Sequence, residues 1–222
     1  MDLLSLAEAA DRIGVSQRQA RNLAAGGDIV LVARGVVDAD SVSAFLRDRG
    51  LVTRRVWSEG TAWAAIGLLA GIDVSRLGQS QVSRLRKQLT GIDAAELASR
   101  VRNRATAHRF DGHRSVVSRI AAELVRGFGL IGDLTAEHGV DGYLDEDDLA
   151  DLVHRFHLRA TSIGCITVRG TQHLDKVQEI SDKDADLLTA VDLSTSADAR
   201  VRAAALTVIR RRVDSLHASS TT

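Results

Sequence analysis

The chain is poor in cysteine, proline and aromatic residues: its 222 residues include one cysteine, no proline and 3% aromatic residues. The single cysteine, Cys165, excludes an intramolecular disulfide and fits a reducing cytoplasm. Because Cys165 lies in the apolar run from Ile163 to Val168, we expect a small buried side chain there. The scarcity of aromatic residues argues against a platform on which single-stranded bases stack.

Long apolar runs are also missing. None approaches the roughly 18 residues of a membrane span, and the N-terminus shows no charged segment followed by an apolar stretch. We therefore expect a cytoplasmic protein without a membrane partner. With 45% apolar residues among 222, the chain is long enough for one or two domains with a buried core.

No motif indicates catalysis, a metal or a cofactor. The glycines of residues 127–132 lack the preceding strand and the following Lys-Ser/Thr of a phosphate-binding loop. The acidic residues 145–148 lack the EF-hand order, and His154 and His157 lack the glutamate of a zinc-protease motif. We expect no enzyme, no catalytic or metal-binding residues and no cofactor, although catalytic groups that meet only in space leave no such motif.

Charge is balanced overall but divided along the chain. Residues 1–126 contain 19 lysines and arginines against 13 aspartates and glutamates, and residues 127–222 contain 10 against 16. A basic first part and an acidic second part favour two working surfaces, the first of them for nucleic acid. The alternative is two solvated faces whose asymmetry arose by chance.

Two capping patterns near the N-terminus predict two helices separated by a tight turn. Ser5 precedes Glu8 at the capping-box spacing, and the helix that follows ends at Gly14. Ser16 starts the next helix, so only Gly14 and Val15 separate the two. This short connection is typical of a helix-turn-helix.

The second predicted helix begins with side chains that reach phosphates and base edges in a DNA major groove. Its inward face carries Ala20, Leu23 and Ala24, and Gly26 and Gly27 end it. The candidate DNA-binding residues of this segment are Ser16, Gln17, Arg18, Arg21 and Asn22.

The segments that follow complete the pattern of a winged domain. Residues 29–33 and 36–37 predict two short strands around an Arg34-Gly35 turn, and residues 38–50 predict a helix. Together with the sequence from Leu4 to Ser16, this order closely resembles the winged helix-turn-helix of the MerR and excisionase type. The resemblance implies that the second helix enters the major groove and that Arg34 meets the DNA backbone.

The wing departs from that family. It is short, carries a single arginine, and the usual proline after the second helix is missing. One such module makes few phosphate contacts, so firm binding requires a second copy of the chain or a second basic surface.

The rest of the chain predicts a second, larger domain. We expect a DNA-binding domain over 1–50, a linker over 51–60, a helix-rich domain over 61–216 and a disordered tail over 217–222. Short strands are predicted at Ile163–Arg169 and Leu187–Leu193 among several amphipathic helices. The fold class is therefore α+β and predominantly helical.

A basic stretch in this second domain is the candidate second surface. Residues 76–119 contain ten basic and three acidic residues. Solvated helix faces, or a site for an acidic partner, are the alternatives to phosphate contacts. The candidate auxiliary phosphate contacts are Arg54, Arg55, Arg84, Arg86, Lys87, Arg100 and Arg104.

A second resemblance covers nearly the whole chain. It rests on diffuse motifs in the C-terminal half, namely Gly142–Leu144, Asp148–Val153, Ile166–Arg169, Val191–Leu193 and Asp198–Arg200 before an alanine-rich helix. These are similar to the C-terminal domain of AbiEi-like antitoxins. The resemblance implies an operon repressor that binds operator DNA and neutralises a nucleotidyltransferase toxin of the AbiEii type.

Three functions therefore remain open. The first is a repressor that doubles as an antitoxin. The second is a DNA-binding regulator whose C-terminal domain senses a ligand or dimerises. The third is an enzyme acting on nucleic acid or a nucleotide that also carries a helix-turn-helix.

Overall fold

A computed structural model of the chain describes residues 2–25, 28–51, 56–74, 77–127, 139–161, 164–196 and 198–220. The structure is 60% helical with 16% strand, in ten α-helices and two small sheets. The expected α+β, predominantly helical fold is confirmed. The chain divides into two compact units, which we call unit 1 (Met1–Thr53 with Thr161–Ile163) and unit 2 (Arg54–Ala160 with Gly164–Thr222).

Within the described residues, unit 1 contains three short strands and three helices. They are β1 (Leu3–Ser5), α1 (Leu6–Ile13), α2 (Gln17–Ala25), β2 (Leu31–Ala33), β3 (Val36–Asp38) and α3 (Ala39–Leu51). The strands form one antiparallel sheet in the order β1-β3-β2. The sequence predicted β2 and β3 and missed β1, which leads directly into α1.

The helices and the sheet of unit 1 share one small core. Ala9, Ala20, Ile29, Val37 and Val42 are fully or almost fully buried in it. The predicted capping box is confirmed: the Glu8 amide donates to Ser5 Oγ at 3.2 Å, and the Ser5 amide donates to the Glu8 carboxylate at 2.8 Å. The hydrogen bonds with Ser5 hold the pKa of the Glu8 carboxyl below its usual value.

Unit 2 contains seven helices and a four-stranded sheet within the described residues. In chain order they are α4 (Glu59–Leu69), α5 (Gln79–Leu89), α6 (Ala94–Arg100), β4 (Thr106–Asp111), α7 (Val117–Glu123), β5 (Val140–Asp145), α8 (Leu149–Arg155), β6 (Arg159–Ala160), β7 (Ile166–Thr171), α9 (Leu174–Leu193) and α10 (Ala199–Ser220).

The sheet of unit 2 separates two hydrophobic cores. Its strand order is β5-β7-β4-β6, with β5 parallel to β7 and the other pairs antiparallel. Side chains alternate along β7: Ile166 and Val168 join the smaller core with α7 and α8. Arg169 and Thr171 point the other way, since alternate residues of a strand face opposite sides, towards the larger core around Trp63 and Tyr143.

Residues 187–193 are helical, so the strand predicted there is wrong. They form the end of α9, and Leu187, Leu188, Ala190 and Val191 are fully buried. A short run buried on all sides has the same apolar signature in a helix and in a strand, and periodicity does not separate the two. The helix kinks at Asp184, whose carboxylate accepts hydrogen bonds from the Leu187 amide and from Arg212 of α10.

Several boundaries differ from the expected ones. Leu51 ends α3 and Glu59 begins α4, so both ends of the predicted linker are helical. The last helix runs to Ser220, where the sequence predicted a disordered tail from residue 217.

Cys165 is exposed, and the prediction of a buried thiol is wrong. The strand that the apolar run predicts begins only at Ile166, so the cysteine lies just outside it. Among the described residues, no helix combines the length and the apolar character that crossing a bilayer requires.

Candidate nucleic-acid interface

The turn between α1 and α2 is short and closed by hydrogen bonds. Gly14 has a left-handed backbone (φ 74°), and its N–H donates to the carbonyls of Ala10 and Asp11. The Val15 amide also donates to Ala10, at 3.0 Å. A residue with a Cβ would be strained at position 14, so this glycine sets the angle at which α2 leaves α1.

Ser16 begins α2 as the sequence predicts. Its hydroxyl accepts a hydrogen bond from the Gln19 amide at 3.2 Å, and its carbonyl accepts one from the Ala20 amide at 2.9 Å. The hydroxyl thereby satisfies one of the amides that a helix start leaves without a partner. Ser16 is exposed, but its main role in the structure is to hold the start of α2.

The predicted groove-contacting residues lie on the exposed side of α2. Ala20 is fully buried, and Leu23 and Ala24 are half-buried against the core of unit 1. Residues i, i+3 and i+4 of a helix share a face, so Arg18, Arg21 and Asn22 form one exposed stripe pointing away from that core. Gln17 is exposed at its flank; the structure thus brings all four together on one helix.

These four side chains make no hydrogen bond or ion pair within the part of unit 1 that the structure describes. α2 carries two arginines and no carboxylate. Guanidinium and amide groups are the groups that bind guanine and adenine edges in the major groove. The donors and acceptors of the stripe Arg18, Arg21 and Asn22 are therefore available to a ligand.

The wing is a short hairpin close to the start of α1. β2 and β3 have three residues each, and the Arg34–Gly35 turn joins them. The Gly35 carbonyl accepts a hydrogen bond from the Leu6 amide at 2.8 Å, which ties the turn to α1. Arg34 is exposed, and a hairpin of this length offers a single cation to DNA.

Of the candidate auxiliary contacts, three lie together on α5. Arg84, Arg86 and Lys87 are exposed and make no ion pair or side-chain hydrogen bond within the described ranges. Arg54 and Arg55 fall outside the described residues.

Arg100 and Arg104 are held inside unit 2. The Arg100 guanidinium donates two hydrogen bonds to Glu96 Oε1, at 3.0 and 2.7 Å, and lies over the ring of Trp57. Arg104 is only 5% exposed, so its predicted place on an outer face is wrong. α6 ends at Arg100, so Arg104 lies beyond the helix and helical spacing does not determine where its side chain points.

Arg104 belongs to a buried polar cluster that the sequence did not predict. Its guanidinium donates to the Tyr143 hydroxyl at 2.8 Å and to Asp192 at 2.5 Å, and the Tyr143 hydroxyl donates to Asp192. Arg169 lies 3.6 Å from Asp192 and donates two hydrogen bonds of 2.7 Å to Asp141. We call these five residues the arginine–tyrosine cluster.

The cluster joins parts of the chain that are far apart in sequence, from the end of α6 to β5, β7 and α9. Burial raises the pKa of the Tyr143 phenol well above its usual value, although the charge of Arg104 acts in the opposite direction. The phenol is therefore a neutral hydrogen-bond donor. Because the charged groups already satisfy one another, the cluster has the properties of a structural core element.

Other groups that could support chemistry are isolated. Among the described residues, no group of three or more His, Cys, Asp or Glu side chains is arranged to hold a metal ion. The rings of His154 and His157 lie 6.4 Å apart. His108 lies 3.4 Å from Glu146, and both are partly exposed at one end of the sheet.

Comparison of the chain with protein-family models, with curated proteins and with solved structures finds no match.

Proposed function

We propose that the protein is a DNA-binding transcriptional regulator that reads its operator with α2. The observation that carries this proposal is the stripe of Arg18, Arg21 and Asn22 on the second helix of a tight helix-turn-helix, exposed and without partners among the described residues. Double-stranded DNA is the ligand whose major groove admits such a helix and offers the acceptors that these side chains need.

Specific contacts rather than overall charge support this assignment. Residues 1–51 contain six arginines against seven aspartates and glutamates, so the unit as a whole does not attract a polyanion. α2 itself is nevertheless positively charged, because it carries two arginines and no carboxylate. Each bidentate contact to a correct base contributes about 1–3 kcal/mol of discrimination.

The biological role that we propose is that of a cytoplasmic repressor and antitoxin. In this role the protein represses its own operon through unit 1 and neutralises a nucleotidyltransferase toxin of the AbiEii type through unit 2. The support is the resemblance to AbiEi-like antitoxins. Three of the segments that carry it form β5, the start of α8 and β7, whereas Val191–Leu193 lies in α9.

The test of DNA reading uses the full-length protein and a duplex that it selects from a random pool. Arg18→Gln and Arg21→Gln should each weaken binding to the selected duplex by about 1–3 kcal/mol, roughly ten- to a hundredfold. Binding to a scrambled duplex should change less, because no base is recognised there. Arg12→Gln is the matched control, since Arg12 is an exposed arginine of α1 without a described partner.

The result that would refute the assignment is an unchanged ratio of selected to scrambled affinity in both α2 variants. For the antitoxin role, co-expression with an adjacent nucleotidyltransferase gene should relieve growth arrest. A regulator that senses a ligand or dimerises through unit 2 would bind DNA without this relief. Turnover of a nucleotide or a tRNA by the protein alone would favour an enzyme.

A further inference from the structure

α5 is an exposed helix whose charged residues are all cations. Its eleven residues include Arg84, Arg86 and Lys87, and no aspartate or glutamate. The other exposed side chains of the helix are the serines and glutamines at positions 79, 80, 81, 83 and 88. Lysine, arginine, serine and glutamine are the side chains that commonly hydrogen-bond to phosphate oxygens.

The helix is held to unit 2 by one narrow apolar stripe. Leu85 and Leu89 are buried and Val82 is half-buried, at the spacing of one helix face. On the opposite side, Ser80 and Ser83 share a face with Arg84 and Lys87. We call these four residues the outer face of α5; Arg86 lies at its flank.

No ion pair to the cations of this helix forms among the described residues, although Asp73 lines the same cavity as Arg86. Arg84, Arg86 and Lys87 lie within one turn, and none of them has a carboxylate partner in the ranges that the structure describes. Like charges at this spacing repel one another. The helix dipole favours Arg86 and Lys87, which lie in the last turn, but it does not account for Arg84.

Another arginine-rich helix of unit 2 shows the contrast. In α10, Arg202 donates to the Ser196 carbonyl and Arg212 pairs with Asp184. In α10 two arginines thus have partners within unit 2, whereas none of the three cations of α5 has a partner among the described residues.

We propose that the outer face of α5, with Arg86, binds the phosphate backbone of double-stranded DNA. This inference rests on the proposed function, because it assigns to unit 2 the second basic surface that a balanced unit 1 requires. The contacts are made to phosphates and therefore add affinity without adding sequence discrimination.

The experiment measures the salt dependence of binding by the full-length protein. The variant Arg84→Gln/Arg86→Gln/Lys87→Gln removes the three cations and keeps the helix propensity of α5. Each lost phosphate contact should make the slope of log Kobs against log salt shallower by about 0.9, so two or three contacts change it by roughly 2–3. The selected and the scrambled duplex should lose affinity by the same factor.

A matched control removes equal charge elsewhere in unit 2. The variant Arg159→Gln/Arg210→Gln/Arg211→Gln changes three exposed arginines that make no side-chain hydrogen bond or salt bridge with described residues. Its salt slope should stay within experimental error of the wild-type slope. Thermal unfolding of both triple variants verifies that the fold is kept.

The proposal is overturned if the α5 variant keeps the wild-type slope, or if the control variant changes it equally. It is also overturned if the α5 variant keeps the wild-type salt slope for DNA binding but, unlike the wild type, no longer binds polyglutamate. The outer face of α5 would then bind an acidic protein. Failure of the groove assignment appears separately, as an unchanged affinity ratio in Arg18→Gln and Arg21→Gln. If the α5 variant has a shallower salt slope but Arg18→Gln and Arg21→Gln keep the wild-type ratio of selected to scrambled affinity, α5 binds phosphates and α2 does not read the base sequence.

Discussion

Arginine has opposite roles in two regions of this molecule. On α2 of unit 1, Arg18 and Arg21 are exposed and without described partners. In the arginine–tyrosine cluster of unit 2, Arg104 is buried and donates hydrogen bonds to Tyr143, Asp192 and the Val101 carbonyl. The same guanidinium is free for a ligand in the first case and part of the core in the second, and its partners decide which.

The comparison also separates stability from binding. A buried cation that loses its carboxylate remains in a poorly solvated place, which destabilises the fold. An exposed cation loses little when it is replaced, since water already solvates it. Substitutions in the two regions should therefore affect different measurements.

The largest effect is expected for Asp192→Ala. This substitution leaves the buried Arg104 and Tyr143 without their common acceptor and should lower the free energy of unfolding by about 3–5 kcal/mol. Urea denaturation followed by circular dichroism measures the loss. Asp192→Asn keeps the side-chain size and should lower the free energy of unfolding by less. It can be measured even if the alanine variant does not fold.

Asp141→Ala is the control for this prediction. Asp141 also pairs with a cluster arginine, Arg169, but its side chain is 43% exposed. Solvent screening limits the contribution of such a pair to about 1 kcal/mol. Equal losses in the Asp141 and Asp192 variants would show that burial does not distinguish the two pairs.

The next effect concerns the stability at high pH. Burial raises the pKa of Tyr143 above its ordinary value of 10.0, so above that pH the unfolded chain loses a proton that the folded protein keeps. The contribution of this group is complete below pH 10.0 and decreases above it by about 1.4 kcal/mol per pH unit. Tyr143→Phe should be less stable at neutral pH and show a shallower alkaline slope.

Tyr143 is the only tyrosine of the chain, so the ultraviolet absorbance of tyrosinate reports this residue alone. The absorbance should stay low in the folded protein and rise only together with unfolding. A titration near pH 10.0 in a protein that is still folded would contradict the burial of this hydroxyl.

The smallest effect on stability is expected for Arg18→Gln and Arg21→Gln. Neither side chain has a described partner to lose, and glutamine has a helix propensity close to that of arginine. The free energy of unfolding should change by no more than about 0.5 kcal/mol. A larger loss, measured by the same urea denaturation, would mean that these arginines hold the fold of unit 1.

Local patterns were predictable from the sequence because their partners are close along the chain. The Ser5–Glu8 capping box is confirmed, and so is the helix start at Ser16, whose hydroxyl accepts from the Gln19 amide at 3.2 Å. The exposed stripe of α2 was predictable in the same way, since a helix of known start determines which residues face outward.

The prediction failed where distant residues decide the structure. Arg104 was predicted to contact phosphates at the surface, but it is buried, and its partner Asp192 lies 88 residues later. Residues 187–193 were assigned to a strand because nothing local reveals that α10 covers them. Sequence reasoning therefore found the candidate interface of unit 1 and missed the polar core of unit 2.

The long-range contacts of unit 2 have a consequence for folding during synthesis. Trp63 of α4 donates a hydrogen bond to Thr171, 108 residues further along the chain, and α10 completes the core around it. By contrast, the strand pairs and the core of unit 1 lie within residues 2–51. Because domains fold as units and N-terminal ones fold first on the ribosome, residues 2–51 of unit 1 should be folded while most of unit 2 is still being translated.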